Sequence, residues 1–287
     1  MIIRQNNHYN KTKNSNLLKY DSWNEWFAGI VDGNGYFYIN KKNEISFELT
    51  TSIIDIRILY NIKNKLNKGS IKIRSGSTSV RYRVKQKQII LQILNRLNGR
   101  LYNFKRLEEF SNCCKLLNIE FIPSPLIINS NNKYLSGLID SNGTIAIIIS
   151  KINSKNSQLS GLAGKIKRLE ESRDHNQLYL KITSISEKNL SIIKNSYSFG
   201  KIYIEKTNKK NKILNQKYHW MINSYHEFIY LYEYLKKNPL KSVKMYRIRL
   251  IYYYFHYKKL KYHLKEPTSI EYKIWLKFCK LWFKYNT

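Results

Sequence analysis

Trp26-Phe-Ala-Gly-Ile-Val-Asp-Gly-Asn-Gly35 returns later in the chain as Tyr134-Leu-Ser-Gly-Leu-Ile-Asp-Ser-Asn-Gly143. The two central glycines, Gly29 and Gly137, are 108 residues apart. That period is the size of a domain, too long for a solenoid repeat. Outward from the pair the echo continues. Thr51-Ser-Ile53 matches Thr183-Ser-Ile185, and Gly69-Ser-Ile-Lys-Ile73 matches Gly200-Lys-Ile-Tyr-Ile204. Two like halves on one chain imply a pseudo-two-fold molecule.

Local patterns predict the order of elements within each half. Ser22 to about Gly33 reads as a helix with Ser22 as N-cap. Strands are expected at Tyr36–Lys41 and Glu44–Ile53, then a helix over Ile54–Leu66 with Ile54, Ile58 and Ile62 on one face. A hairpin follows at Ile71–Arg74 and Val80–Lys85, with helical stretches at Gln88–Leu97 and Lys105–Leu117. The chain divides into a basic N-terminal arm (1–20), a first repeat (21–121), a linker (122–131), a second repeat (132–238) and basic C-terminal helices (239–287). Pro123 and Pro125 stiffen the linker. Residues 153–176 interrupt the second repeat and, being polar and glycine-containing, read as a loop. Gly161-Leu-Ala-Gly-Lys165 lacks both the spacing and the strand-then-helix context of a phosphate-binding loop. In the tail, Val243, Tyr246, Leu250, Tyr253, Tyr257 and Leu260 form a 3-4 stripe, read as core.

Charge narrows the partner. The chain carries 51 Lys and Arg against 19 Asp and Glu, a formal net charge of +32, while 43% of its residues are hydrophobic. A core can be buried, yet so much like charge calls for a polyanion. No apolar run reaches membrane-spanning length, so nucleic acid is expected and a membrane is not. Cys113, Cys114 and Cys279 make no disulfide framework, which points to a reducing compartment. The histidines lack metal-ligand spacing. No secretory h-region appears at the N-terminus. A composition rich in Lys, Asn, Ile and Tyr favours AT-rich codons, which suggests a mitochondrial gene.

Strand side chains alternate between faces. In the first hairpin Ile71, Ile73, Val80, Tyr82 and Val84 point one way, and Lys72, Arg74, Arg81, Arg83 and Lys85 the other. No acid occurs in either strand, so this face is expected to lie on phosphates. In the second half Lys201, Tyr203 and Glu205 oppose Ile202 and Ile204, while Lys217 and His219 oppose Tyr218 and Trp220. Tyr203 suits either base stacking or ordinary half-burial. Lys41 and Lys181 complete the expected nucleic-acid-binding set.

The paired motifs resemble the signature that names the LAGLIDADG family of homing endonucleases and intron maturases. The resemblance spans both repeats and implies an α+β fold of two pseudo-symmetric αββαββα repeats, packed through the motif helices, with antiparallel sheets forming a basic saddle. The small residues Ala28, Gly29, Ser136 and Gly137 allow the helices to approach backbone to backbone. In the family, the next-to-last motif position is normally an acid that holds a divalent metal for cutting DNA. Here both positions are asparagine, Asn34 and Asn142. Asp32 and Asp140 lie two residues earlier, where other contacts are expected. Lys85 falls where the family often carries an active-site lysine, and its mate by repeat alignment is Ile222.

These readings predict a nucleic-acid-binding protein without catalytic residues, metal or cofactor. The expected partner is structured RNA, either a group I intron, as for a maturase, or RNA within a mitochondrial ribonucleoprotein such as the ribosome. The alternative is a Mg²⁺-dependent double-strand DNA endonuclease using Asn34 and Asn142 as poor ligands, and a further option is a decaying reading frame.

Overall fold

The computed structural model describes residues 21–151, 158–205 and 216–285 of the 287. The expected N-terminal arm and the beginning of the 153–176 insertion lie outside the described residues. Helix α1 (Ser22–Asn34) starts one residue earlier than its expected cap implies, because Asp21 accepts a hydrogen bond from the Trp23 amide at 3.0 Å. It feeds directly into β1 (Gly35–Ile39), which pairs antiparallel with β2 (Ile45–Ser52) across the Asn40–Asn43 turn. Asn40 stabilises that turn by accepting from the amides of Lys42 and Glu44, and Lys41 sits exposed on it.

A short 3-10 turn leads into α2 (Ile56–Leu66), so Ile54 is left outside the helix and exposed, while Ile58, Leu59, Ile62 and Leu66 are buried. Strands β3 (Ser70–Ile73) and β4 (Ser79–Val84) close a sheet of order β1-β2-β4-β3. Helices α3 (Lys87–Leu97) and α4 (Phe104–Leu116) complete the first half. The linker crosses to the second half without regular structure, pinned at one end by the Ile122 amide on Asn98 and at the other by the Ile128 amide on Ser196.

The second half repeats the plan: α5 (Tyr134–Asn142), β5 (Gly143–Ile149), β6 (Asn176–Ser184), α7 (Glu187–Tyr197), β7 (Lys201–Ile204), β8 (Tyr218–Ile222) and α8 (Tyr225–Lys237). Its sheet has the matching order β5-β6-β8-β7. Serine at the start of α8 forms a capping box with Glu227, which fixes the helix entry. Two antiparallel four-stranded sheets with helices on their apolar faces make this an α+β fold of two like repeats.

Two sequence expectations are corrected here. The insertion is not simply a loop: Gly161–Glu170 forms α6, which buries Leu169. It docks on α10 (Ile270–Trp282), where Trp275 and Tyr272 donate to the Glu170 carbonyl and carboxylate. Its lysines and glycines disguised the Leu162-Ile166-Leu169 spacing. The tail stripe is met only in part: Leu250 is buried and Tyr246 and Tyr257 pack against the core, but the inner face is turned from the expected one. In α9 (Lys244–Lys259) the buried residues are Ile248, Leu250, Ile251 and Tyr254, whereas Tyr253 and Leu260 are exposed. Aromatic and apolar residues surround that helix, so periodicity could not select its inner face.

Helices α1 and α5 form the most extensive contact between elements of the described residues. A Cβ added at Gly29 would collide with the Tyr134 carbonyl oxygen, and one at Gly137 with the Trp26 carbonyl oxygen. Ala28 and Ser136 beside them are fully buried. Gly29→Ala should therefore destabilise the protein by about 3 kcal/mol. Gly76→Ala, in a left-handed hairpin turn with open space around it, should cost about 1 kcal/mol. Denaturant unfolding followed by circular dichroism checks the order, and an equal cost at both positions would contradict the backbone contact.

Candidate nucleic-acid interface

The motif aspartates are fixed by bonds that cross the pseudo-two-fold axis. Asp32 accepts from the Tyr102 amide (2.6 Å), the Asn103 amide (3.1 Å) and the hydroxyl of Tyr134 on the opposite motif helix (2.8 Å). Asp140 accepts from the amides of Lys241 and Ser242 and from the indole N–H of Trp26, again on the opposite helix (2.9 Å). Each carboxylate thus ties its partner helix to the chain that enters α4 or α9. The expectation that Asp32 and Asp140 make other contacts is met by these bonds, and neither side chain is offered to solvent.

This symmetry places two lysines that sequence reading missed. Lys105 follows Asn103 by two residues and Lys244 follows Ser242 by two, so they occupy equivalent places. Lys244 lines a hollow with Asn34, Thr51, Ser52 and Asp55, while Lys105 lines its counterpart with Asn142, Thr183 and Ser184. Only the threefold reach of each aspartate across the fold reveals the pairing, because the sequence intervals differ between halves. Lys85, expected near the motif ends, lies instead with Asn43 and Glu44 at the far end of β4. Gly35 is level with Leu49, and Leu49 with Tyr82, so Lys85 is three residues, about 10 Å, from the motif end.

The hollows present amides and ammonium groups, and the aspartates that also line them, Asp55 and Asp140 in one and Asp32 in the other, already accept from backbone amides. The Asn34 side-chain N–H donates to the Ser141 carbonyl (3.1 Å), and that of Asn142 to the Thr183 carbonyl (2.8 Å). A carboxylate could make neither bond. Lys244 donates to the carbonyls of Ile139 and Asp140 at 2.8 Å each, and burial lowers its pKa against the pull of Asp140 and Asp55. The nearby carboxylate of Asp55 already accepts from the Val243 amide, and burial raises its pKa. Among the described residues no three His, Cys, Asp or Glu side chains converge as a metal-holding group. Two neutral amides that donate to backbone carbonyls do not fit the carboxylate-rich coordination that Mg²⁺ prefers.

The sheets carry the charge. In the first, register sets Thr50, Arg81 and Lys72 in one row and Tyr36, Glu48, Arg83 and Ser70 in the next. Val80, Tyr82 and Val84 are buried on the opposite face as the pleat requires, although Ile73 at the hairpin tip is exposed. Lys72, Arg74, Arg81 and Arg83 line one shallow cationic depression. The acid-free face expected from the hairpin alone is corrected by β2: Glu48 bridges Arg81 at 3.0 Å and also pairs with Arg83. Its carboxylate neutralises one of the two guanidiniums and orients both.

In the second sheet Thr144, Lys181, Met221 and Lys201 form a row, and Thr183, His219 and Tyr203 the next. Tyr203 is exposed, whereas Lys217 and His219 share Glu205 at 3.9 and 3.7 Å. The expected cations are therefore gathered on two sheet faces, except Lys41 on its turn and Lys85 at the strand end.

The chain matches the LAGLIDADG endonuclease family over residues 27–117. It is 32% identical over 276 residues to the probable intron-encoded endonuclease aI2 of Debaryomyces hansenii, a match covering 96% of this chain and 39% of that protein. It is 33% identical over 276 residues to the intron-encoded RNA maturase bI4 of Saccharomyces cerevisiae, covering 96% of this chain and 38% of that protein. The chain thus spans under two fifths of the length of these two relatives. Among solved structures, the I-LtrWI LAGLIDADG homing endonuclease bound to target DNA superposes with a TM-score of 0.67 at 20% identity, covering 93% of this chain and 98% of that one.

Asp32 also makes a measurable prediction. Burial pushes its pKa from 3.8 up to about 6, against the three hydrogen bonds it accepts, and its Oδ1 has no partner. The folded state therefore holds this proton more tightly than the unfolded chain. Stability from Asp32 is complete below pH 4 and lost as pH rises through 6. Relative to Asp32→Asn, the unfolding free energy of the wild type should fall by about 3 kcal/mol between pH 4 and neutrality. A difference that stays flat across that window would contradict the assignment.

Proposed function

The chain is a LAGLIDADG-family protein, and from that premise we propose that it binds structured RNA through its basic sheets and does not cut DNA. The observation that carries this reading is the paired replacement at the motif ends. Asn34 and Asn142 bring no negative charge to the two positions where metal would be held, and their amides are engaged by backbone carbonyls. The scaffold that presents the sheets is meanwhile retained in full, together with a net charge of +32. Binding surface and cutting chemistry are separate parts of the fold, so the second can lapse while the first is kept.

Support for RNA comes from the relative named an RNA maturase, which matches across nearly the whole chain. Support for an intron-encoded origin comes from the names of both relatives, and support for a mitochondrial gene from the composition, rich in residues with AT-rich codons. An intron that this chain helps to fold is the favoured partner, with ribosomal RNA second. No metal or other cofactor enters this function.

Two outcomes follow. Affinity for RNA should fall steeply with salt, log K against log[salt] sloping by about −0.7 to −0.9 per phosphate neutralised. A salt-insensitive affinity would remove the electrostatic basis of the proposal. In Mg²⁺ the wild type should leave an intronless copy of its locus uncut, judged on a gel. Efficient metal-dependent cleavage to a defined product would establish the DNA endonuclease alternative instead. The double change Asn34→Asp and Asn142→Asp asks whether carboxylates alone are missing: each costs a hydrogen bond to a backbone carbonyl, so the variant should be less stable than the wild type even where cutting returns.

A further inference from the structure

The first sheet holds a feature that a purely cationic surface does not need. Tyr36 and Tyr38 stand two residues apart on β1 and share the face that carries Arg81 and Arg83. They are 44% and 48% exposed, and their rings stack with centroids 6.3 Å apart at 24°. Strand propensity alone would accept tyrosine here, since aromatic residues suit a pleated surface. It does not explain why both occur on the solvent face of one strand and neither recurs in the other repeat. The equivalent positions in β5 are Thr144 and Ala146.

We propose that Tyr36 and Tyr38 form a stacking platform for unpaired bases of RNA, with Arg81, Arg83 and Lys72 holding the adjoining phosphates. The inference rests on the RNA reading above and names the kind of RNA: one with splayed nucleotides in a loop, bulge or junction. A base within a duplex has both faces covered by its neighbours, so a protein ring meets only base edges in a groove. An unpaired base offers its π-face, and an exposed ring on a four-stranded antiparallel sheet is a known way to meet it. The register sets the cations beside the rings. Tyr36 is level with Glu48 and Glu48 with Arg83, so the backbones of Tyr36 and Arg83 lie two strands, about 10 Å, apart on the same face. Glu48 keeps Arg81 and Arg83 directed along the sheet surface rather than loose in solvent. The second sheet has no ring pair at the matching β5 positions; its outer-face tyrosines, Tyr179 and Tyr203, stand singly on β6 and β7.

The test uses the full chain and two labelled probes, an RNA stem-loop with a large unpaired loop and a fully paired RNA of similar length, with duplex DNA as a third. The wild type should prefer the stem-loop. Tyr36→Leu with Tyr38→Leu should weaken stem-loop binding about tenfold or more while leaving the paired RNA unaffected. The salt slope should stay unchanged, because no charge is removed. Tyr36→Phe with Tyr38→Phe should retain the preference, and circular dichroism confirms that both pairs fold. Equal binding of the stem-loop by the wild type and the folded Leu variant would overturn the platform and leave the RNA reading standing. A wild type that binds duplex DNA in preference to both RNAs would overturn the RNA reading and this inference together.

Discussion

Everything in this molecule depends on two helices that touch backbone to backbone. At Gly29 and Gly137 no side chain separates α1 from α5, and a single methyl group at either would meet a carbonyl oxygen. That proximity brings the Asp32 carboxylate within reach of the Tyr134 hydroxyl and Asp140 within reach of the Trp26 indole. The same carboxylates seize the backbone amides at the entrances to α4 and α9. One close contact therefore fixes the two halves, the course of the chain that follows each sheet, and the positions of Lys105 and Lys244 at the motif ends.

Much of this was legible in the sequence because it is encoded locally. The repeated motif declared the pseudo-symmetry, its glycines declared the contact, and the alternation in Val80–Lys85 declared which face of β4 is apolar. What escaped was set by distant partners. Glu48 lies more than thirty residues from Arg81, and only strand register shows that it shares that face. Lys105 and Lys244 are equivalent through the bonds of two aspartates, not through equal spacing, so alignment of repeats paired Lys85 with Ile222 instead. Helix α6 owes its existence to a docking surface on α10 that its own sequence does not announce. The inner face of α9 was likewise chosen by its neighbours.

The aspartates and asparagines of the motif occupy different structural settings. Asp32 and Asp140 are consumed by structural bonds, so replacing them would loosen the architecture. Asn34 and Asn142 sit two residues later, at the rim, where the side chain contributes little to packing. Charge can be lost at the rim while every internal contact persists. The sheets beyond are free to change their occupants, since their outer faces carry no part of the core.

The most direct measurement is recovery of the native protein under crosslinking, with sequencing of the nucleic acid attached to it. The account predicts enrichment of a structured RNA, with crosslinks at unpaired nucleotides and on the sheet that bears Tyr36, Tyr38, Arg81 and Arg83. Recovery of a defined duplex DNA site, with no RNA enriched, would contradict it.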